Sequence, residues 1–176
     1  ICLSSFSEEG GTREVAKLPE WLEQPVVTGA TIDTNQLKVT INYLPGDTDV
    51  LSRIFNAVAK ASFNVDMISV VNENGHSHLT FTVLSANPAA IRRTIEGVLK
   101  DVDGWELTLD DNVAKVSTVG VGMRSSAGVA ARFFSSLQKT GVRIIATTTS
   151  EIKISVLVPR TDASKALRVL LDEFDL

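Results

Sequence analysis

Cysteine is almost absent from this chain. Cys2 stands alone, so no internal disulfide can form and no cysteine-based metal site can be assembled. Histidine is nearly as scarce, with only His76 and His78. One cysteine and two histidines do not make up a convincing Ser/His/Asp or Cys/His catalytic set. No Lys/Arg run occurs, and a net charge of -4 gives no basic field for nucleic acid. No apolar run reaches the roughly 18 residues of a membrane-crossing helix, and no signal-peptide pattern opens the chain. These absences predict neither nucleic acid nor membrane as a partner, and a reducing, cytoplasmic setting. Methionine is missing from the first position. Ile1 stands there, as expected of a piece of a longer protein.

What the chain does have is a repeat. Residues 37–71 and 113–150 each open with alternating apolar residues, pass a glycine-containing turn, enter an amphipathic helix and leave as an apolar strand. Lys38 aligns with Lys115, Phe55 with Phe134, Lys60 with Lys139 and Val65 with Ile144, an offset of 77 to 79 residues. That period is too long for a solenoid and predicts two copies of one small domain.

In the first copy, Leu37, Val39, Ile41 and Tyr43 alternate, which predicts a half-buried strand over 37–44. Pro45-Gly46-Asp47 reads as a turn with Asp47 or Thr48 as helix cap. Val50, Leu51, Ile54, Val58 and Ala61 recur at helical spacing over 49–61. Strands follow at 64–71 and 78–84, joined by a hairpin at Asn74-Gly75. Asn87-Pro88 opens a second helix, and Trp105, Leu107 and Leu109 form a fourth strand. The order is βαββαβ.

After Asp110-Asp111-Asn112, read as a solvated linker, the second copy predicts a strand at 113–121 and a helix over 127–139. Strands at 142–148 and 151–158 follow, with Thr149-Ser150-Glu151 between them, then a helix over Thr161–Glu173. This copy lacks a fourth strand. The β-branched run 26–32, bounded by a turn at Asp33-Thr34-Asn35, is expected to fill the vacancy, since an open strand edge is a hazard. The fold class is α+β, with antiparallel sheets and helices on one face. The domains are 37–111 and 26–33 plus 112–176, after an N-terminal segment, 1–25.

Several motifs have two readings. Gly120-Val121-Gly122-Met123-Arg124-Ser125 lacks the lysine of a phosphate-binding loop. It is either a tight strand-to-helix turn or a helix start facing a carboxylate. His76 and His78 sit on a hairpin with no visible third metal ligand. Trp21 and Trp105 read as core or interface residues.

The strings Val116 to Ser125, Gly128 to Arg132 and Thr149 to Ser155 closely resemble the C-terminal regulatory region of aspartokinases. Ser4-Ser5-Phe6, Gly11-Thr12 and the ending Glu173-Phe174-Asp175-Leu176 resemble it too. The resemblance covers essentially the whole chain and implies tandem ferredoxin-like ACT domains that sense amino acids. It implies a regulatory region, or β subunit, of an enzyme that transfers the ATP γ-phosphoryl group to aspartate. ATP and Mg would then belong to a kinase domain outside this chain, which holds no cofactor, no metal and no catalytic residue of its own. Expected partners are an amino-acid effector (lysine and/or threonine), a second copy in a homodimer, and a kinase domain or α subunit.

The resemblance also implies an effector site. Its carboxylate half is the turn Pro45 to Leu51, with N–H groups near Asp49 and Val50. Asp66, interrupting an apolar run, is the expected partner of the ligand ammonium. Its neighbours Val65 and Met67 are expected to point the other way. The full set is Gly29, Thr31, Gly46, Asp47, Thr48, Asp49, Val50, Leu51, Asn64, Val65, Asp66, Val70, Arg143, Ile144 and Ser150. Three of these depart from the family pattern of joint lysine and threonine inhibition. Val70 stands where Gln is usual, Thr31 where a small residue is usual, and Arg143 where Asn is usual.

Overall fold

The computed structural model describes residues 27–84, 86–120 and 128–176. Its elements are β1 (Gly29–Pro45), α1 (Thr48–Lys60), β2 (Val65–Glu73), β3 (His76–Leu84), α2 (Pro88–Val98), β4 (Glu106–Val119), α3 (Val129–Lys139), β5 (Ala146–Ser150), β6 (Lys153–Pro159) and α4 (Ala163–Phe174). A 3-10 turn, Arg160–Asp162, leads into α4.

Two long strands hold the repeats together. β1 does not break at Asp33–Asn35, and β4 does not break at Asp110–Asn112. Both expected interruptions are bulges inside continuous strands. On β1 three steps from Asp33 to Gln36 face two steps from Lys115 to Val113. On β4 three steps from Asp110 to Val113 face two from Gln36 to Lys38. The same local bond supports each one. Asp33 Oδ1 accepts from Asn35 N at 2.9 Å, and Asp110 Oδ1 accepts from Asn112 N at 3.0 Å. Side-chain carboxylates that close turns also absorb an extra strand residue, and the bulge bends the strand without ending it.

Each long strand therefore serves both repeats. Among the described residues the sheet is single and antiparallel, in the order β2-β3-β1-β4-β6-β5. The first repeat uses the second half of β1 as its first strand and the first half of β4 as its fourth. The second repeat uses the second half of β4 as its first strand and the first half of β1 as its fourth. Thr28 N donates to Val119 O at 2.7 Å, and Thr31 and Ile32 face Ser117 and Val116. This is the pairing expected of the upstream strand, although Val26 lies outside the described residues. The expectation of two separate sheets is corrected: sharing both long strands fuses them into one.

The helices form for local reasons. Asp47 caps α1 by accepting from Val50 N at 3.1 Å. Asn87 caps α2 with Pro88 in the first turn. Val50, Ile54 and Val58 recur on one face of α1 and are buried. They pack with Leu37, Val39, Ile41, Phe81, Ile91 and Ile95 into the first core. Each such side chain contributes about 1.5–3 kcal/mol by leaving water. Trp105 packs against this core and its Nε1 donates to Leu99 O at 3.2 Å; Trp21 lies outside the described residues. The second core joins Ala114, Val116, Phe133, Leu137, Val156, Val158, Ala166 and Leu170.

In the second repeat the strands lie further along than expected. Gly141 takes a left-handed φ of 69° just after α3, so β5 starts at Ala146 and the hairpin turn falls at Glu151–Ile152. α4 starts at Ala163 because Arg160–Asp162 is a 3-10 turn.

A third cluster is small. Ala114 and Val116 face the helices, so Val113 and Lys115, alternating with them, project from the opposite face. There Val113 meets Leu157 and Met67. Met67 belongs to β2, at the far edge of the first repeat. The edge strand is thus brought back over the second repeat.

Candidate effector site

Asp66 sits where β2 departs from regular pairing. Val65 faces Val83 while Ile68 faces Phe81, so one extra residue is accommodated between them. The expectation that Val65 and Met67 share a face is corrected by this irregularity. Val65 packs on the first core and Met67 on the third cluster. A bulge of this kind re-aims side chains, and here it sends Asp66 and Met67 toward the second repeat.

Asp66 Oδ2 accepts from Lys115 Nζ of β4. It also accepts from Gln36 Nε2 at 3.4 Å. The same Gln36 Nε2 donates to Asp33 Oδ2 at 2.8 Å, and Asp33 lies opposite Lys115 across the β1–β4 ladder. Gln36 is 2% exposed and its Oε1 has no hydrogen-bond partner among the described residues. Two carboxylates hold the amide nitrogen, and they fix which way the amide points.

Beside Asp66 is a cavity of about 120 Å³ lined by Thr148, Thr149, Ser150, Lys153 and Ser155 from the β5–β6 hairpin. Ser155 is buried and shares a 2.8 Å hydrogen bond with Ser117. From the described residues the cavity therefore carries one carboxylate, one ammonium and four hydroxyls. That set complements a small zwitterion, whose ammonium seeks a carboxylate and whose carboxylate seeks an ammonium and hydroxyl donors.

The other half of the expected site is elsewhere. Pro45 faces His76, and His76 faces Glu73 at the end of β2. The turn at Gly46–Leu51 therefore lies beside the Asn74-Gly75 hairpin, where a Cβ on Gly46 would approach Gly75 O to 3.1 Å. Asp66 is at the other end of β2, about 23 Å away at roughly 3.3 Å per residue. The Val50 N–H is already occupied by Asp47, and Asp47 and Asp49 put two carboxylates at the helix start. Val50 and Leu51 pack on the first core, and Thr48 opens α1. One chain thus does not gather the turn and Asp66 into one pocket.

The remaining expected residues are spread. Gly29 and Thr31 lie on the part of β1 that faces Val119 and Ser117. Asn64 O accepts from Leu84 N at 3.1 Å. Val70 is exposed on the β2 edge. Arg143 is exposed, and Ile144 packs against the second core. Ser150 alone of the second-repeat set shares the cavity with Asp66. His76 and His78 stand edge-on to Tyr43, and His78 Nδ1 lies 3.1 Å from Asn42 Oδ1. Val121 to Ala127, with most of the glycine-rich turn, lies outside the described residues.

Known proteins place this arrangement. An ACT-domain family model matches residues 116–174. An aspartate kinase of Pseudomonas fluorescens (strain SBW25) is 37% identical over 175 residues, 99% of this chain and 42% of that relative. The crystal structure of aspartokinase alpha and beta subunits contains a chain 39% identical, with a TM-score of 0.74, matched over 85% of this chain and 99% of its own length. The chain belongs to the aspartokinase family. The regulatory subunit of aspartate kinase from Thermus thermophilus, in its ligand-free form, is 32% identical with a TM-score of 0.79, over 85% of this chain and 99% of that one. The chain spans 42% of the curated aspartokinase it matches and corresponds to the regulatory part.

In this aspartokinase region, sequence reasoning missed Gln36, Lys115, Thr148, Lys153 and Ser155. Lys115 carried a signal as the repeat partner of Lys38. The register shows a paired pattern, Asp33 opposite Lys115 and Lys38 opposite Asp110, that the repeat offset alone relates. The contact to Asp66 depends on the curl of the sheet and leaves no mark in local spacing.

Proposed function

We propose that this chain is the amino-acid-sensing region of an aspartate kinase, binding an end-product amino acid to control phosphorylation of L-aspartate by ATP. The pathway served is lysine, threonine and methionine biosynthesis. The observation that carries the reading is the cavity shared by Asp66 of the first repeat and Ser150 of the second. A ligand there touches both repeats, so its binding energy depends on how they sit together. That is what a sensor requires. ATP and Mg belong to a kinase domain, or α subunit, outside this chain, and the setting is cytoplasmic. Among the described residues no helix is long and apolar enough to cross a membrane.

Lysine and threonine are the candidate effectors. At the contacts usual in the family, Val70 offers no amide to a threonine, Thr31 adds bulk, and Arg143 brings a cation that either repels an ammonium or grips a carboxylate. A polar group left without a partner costs about 1–3 kcal/mol. Threonine binding through the family's usual contacts is therefore weak or lost, and lysine remains through Asp66. Thermal shift and calorimetry with each amino acid separately test this. Micromolar threonine binding contradicts the selectivity, and no response to either contradicts the sensor.

A second reading, a dimerisation module without ligand, rests on the β2 edge. Ile68 and Val71 there are each 55% exposed, and among the described residues β2 has no neighbour on its outer side. Edge pairing between two copies would cover them. The two readings coexist if a homodimer also binds ligand.

A further inference from the structure

The carboxylate expected to receive a ligand ammonium already holds one. Lys115 Nζ donates to Asp66 Oδ2, with side chains 11% and 27% exposed, from a strand of the other repeat. Among the described residues Asp66 is also the only acidic one lining the cavity. Lys153, in the same cavity, has no ion-pair partner among the described residues. Among the described residues the cavity thus presents a compensated carboxylate and an uncompensated ammonium.

We infer that Lys115 is a built-in competitor for the ligand ammonium, so that effector binding exchanges one cation for another on Asp66. The inference rests on the reading of this cavity as the effector site. The released lysine has acceptors waiting. Asp33 lies opposite it on β1, and Gln36, whose Nε2 bridges Asp33 and Asp66, has a buried Oε1 with no donor among the described residues. A zwitterion places its carboxylate on Lys153 and its ammonium on Asp66, while Lys115 turns to Asp33. Asp66 keeps a cationic partner throughout, and Lys153 gains an anionic one. The consequence is mechanical. The ion pair ties β2 of the first repeat to β4 of the second, and ligand binding removes that tie while leaving the β1–β4 ladder intact. A ligand that binds only when a contact between the repeats opens shifts the population toward the opened form.

The test is calorimetry on the full chain with L-lysine and L-threonine, comparing wild type, Lys115→Met, Asp66→Asn and the double variant. Methionine keeps the aliphatic stem and removes the charge. Lys115→Met is expected to bind the effector about two- to fivefold tighter, the range set by losing one partly exposed ion pair. The double variant is expected to behave as Asp66→Asn, since Lys115 acts only through Asp66. Wild-type binding with equal or weaker affinity in Lys115→Met overturns the exchange and leaves the effector reading standing. No binding to either protein overturns the effector reading itself, and the exchange with it. A second readout needs no variant. The Lys115 side-chain ammonium signal in nitrogen-15 NMR is expected to move on saturation of the wild type with effector, and a signal that stays in place overturns the exchange.

Discussion

Lys115 of β4 and Asp66 of β2 form an ion pair that crosses from one repeat to the other. They are 49 residues apart in sequence and never neighbours in any strand ladder. The pair exists because β2 bulges after Val65 and because the sheet carries its edge back over the second repeat. Apolar packing of Met67 with Val113 and Leu157 accompanies it.

Met67→Ala tests that packing. Met67 is 5% exposed in a cluster of three buried residues. Its truncation is expected to lower stability by about 2 kcal/mol, the lower end for a buried methionine. Urea unfolding measures it. A change within error would mean that the third cluster does not hold the repeats together.

The two bulges are expected to differ in cost. Asp110→Ala removes one local hydrogen bond and costs about 1 kcal/mol. Asp33→Ala removes the matching bond and also an acceptor of buried Gln36, so its cost is about 2 kcal/mol. Equal losses by chemical denaturation would contradict the role given to Gln36.

Arg53 donates to Asp101 and to Val98 O, which ties α1 to the end of α2. The Arg53 hydrogen bond holds the Asp101 carboxyl below its ordinary range. A depressed folded-state pKa stabilises the fold above the unfolded-state value, and the contribution is lost as pH falls through the folded value. Asp101→Asn is expected to lower the melting temperature slightly at neutral pH, where the pair is exposed and screened. The difference from wild type should vanish in strong acid. A difference that persists there would assign the effect to something other than ionisation.

Ile68→Lys places a charge on the unpaired β2 edge, a device that discourages strand pairing. Wild-type chain is expected to sediment as a dimer at tens of micromolar and the variant as a monomer. A monomeric wild type, with and without amino acids, contradicts edge association.

Much of the fold was legible because its signals are local. Alternation marked Leu37, Val39 and Ile41, helical spacing marked Val50, Ile54 and Val58, and the Lys38–Lys115 correspondence exposed the repeat. Asp33–Asn35 and Asp110–Asn112 read from sequence as a turn and a linker because an Asp side chain bonding two residues ahead serves a turn and a bulge equally well. Asp66 stood out as a charge in an apolar run. Its partner did not, because the curl that delivers Lys115 is set by packing between distant strands. The turn at Gly46–Leu51 was joined to Asp66 on family resemblance. The strand register separates them within one chain by the length of β2.

In the proposed function Asp66 receives an amino-acid effector in the cavity it shares with Ser150. Calorimetric titration of L-lysine into wild type and Asp66→Ala tests it most directly. A lost charge-assisted hydrogen bond costs about 1.5–3 kcal/mol, so affinity is expected to fall roughly ten- to a hundredfold. Lysine binding of unchanged affinity in Asp66→Ala would remove Asp66 from the site and contradict the account.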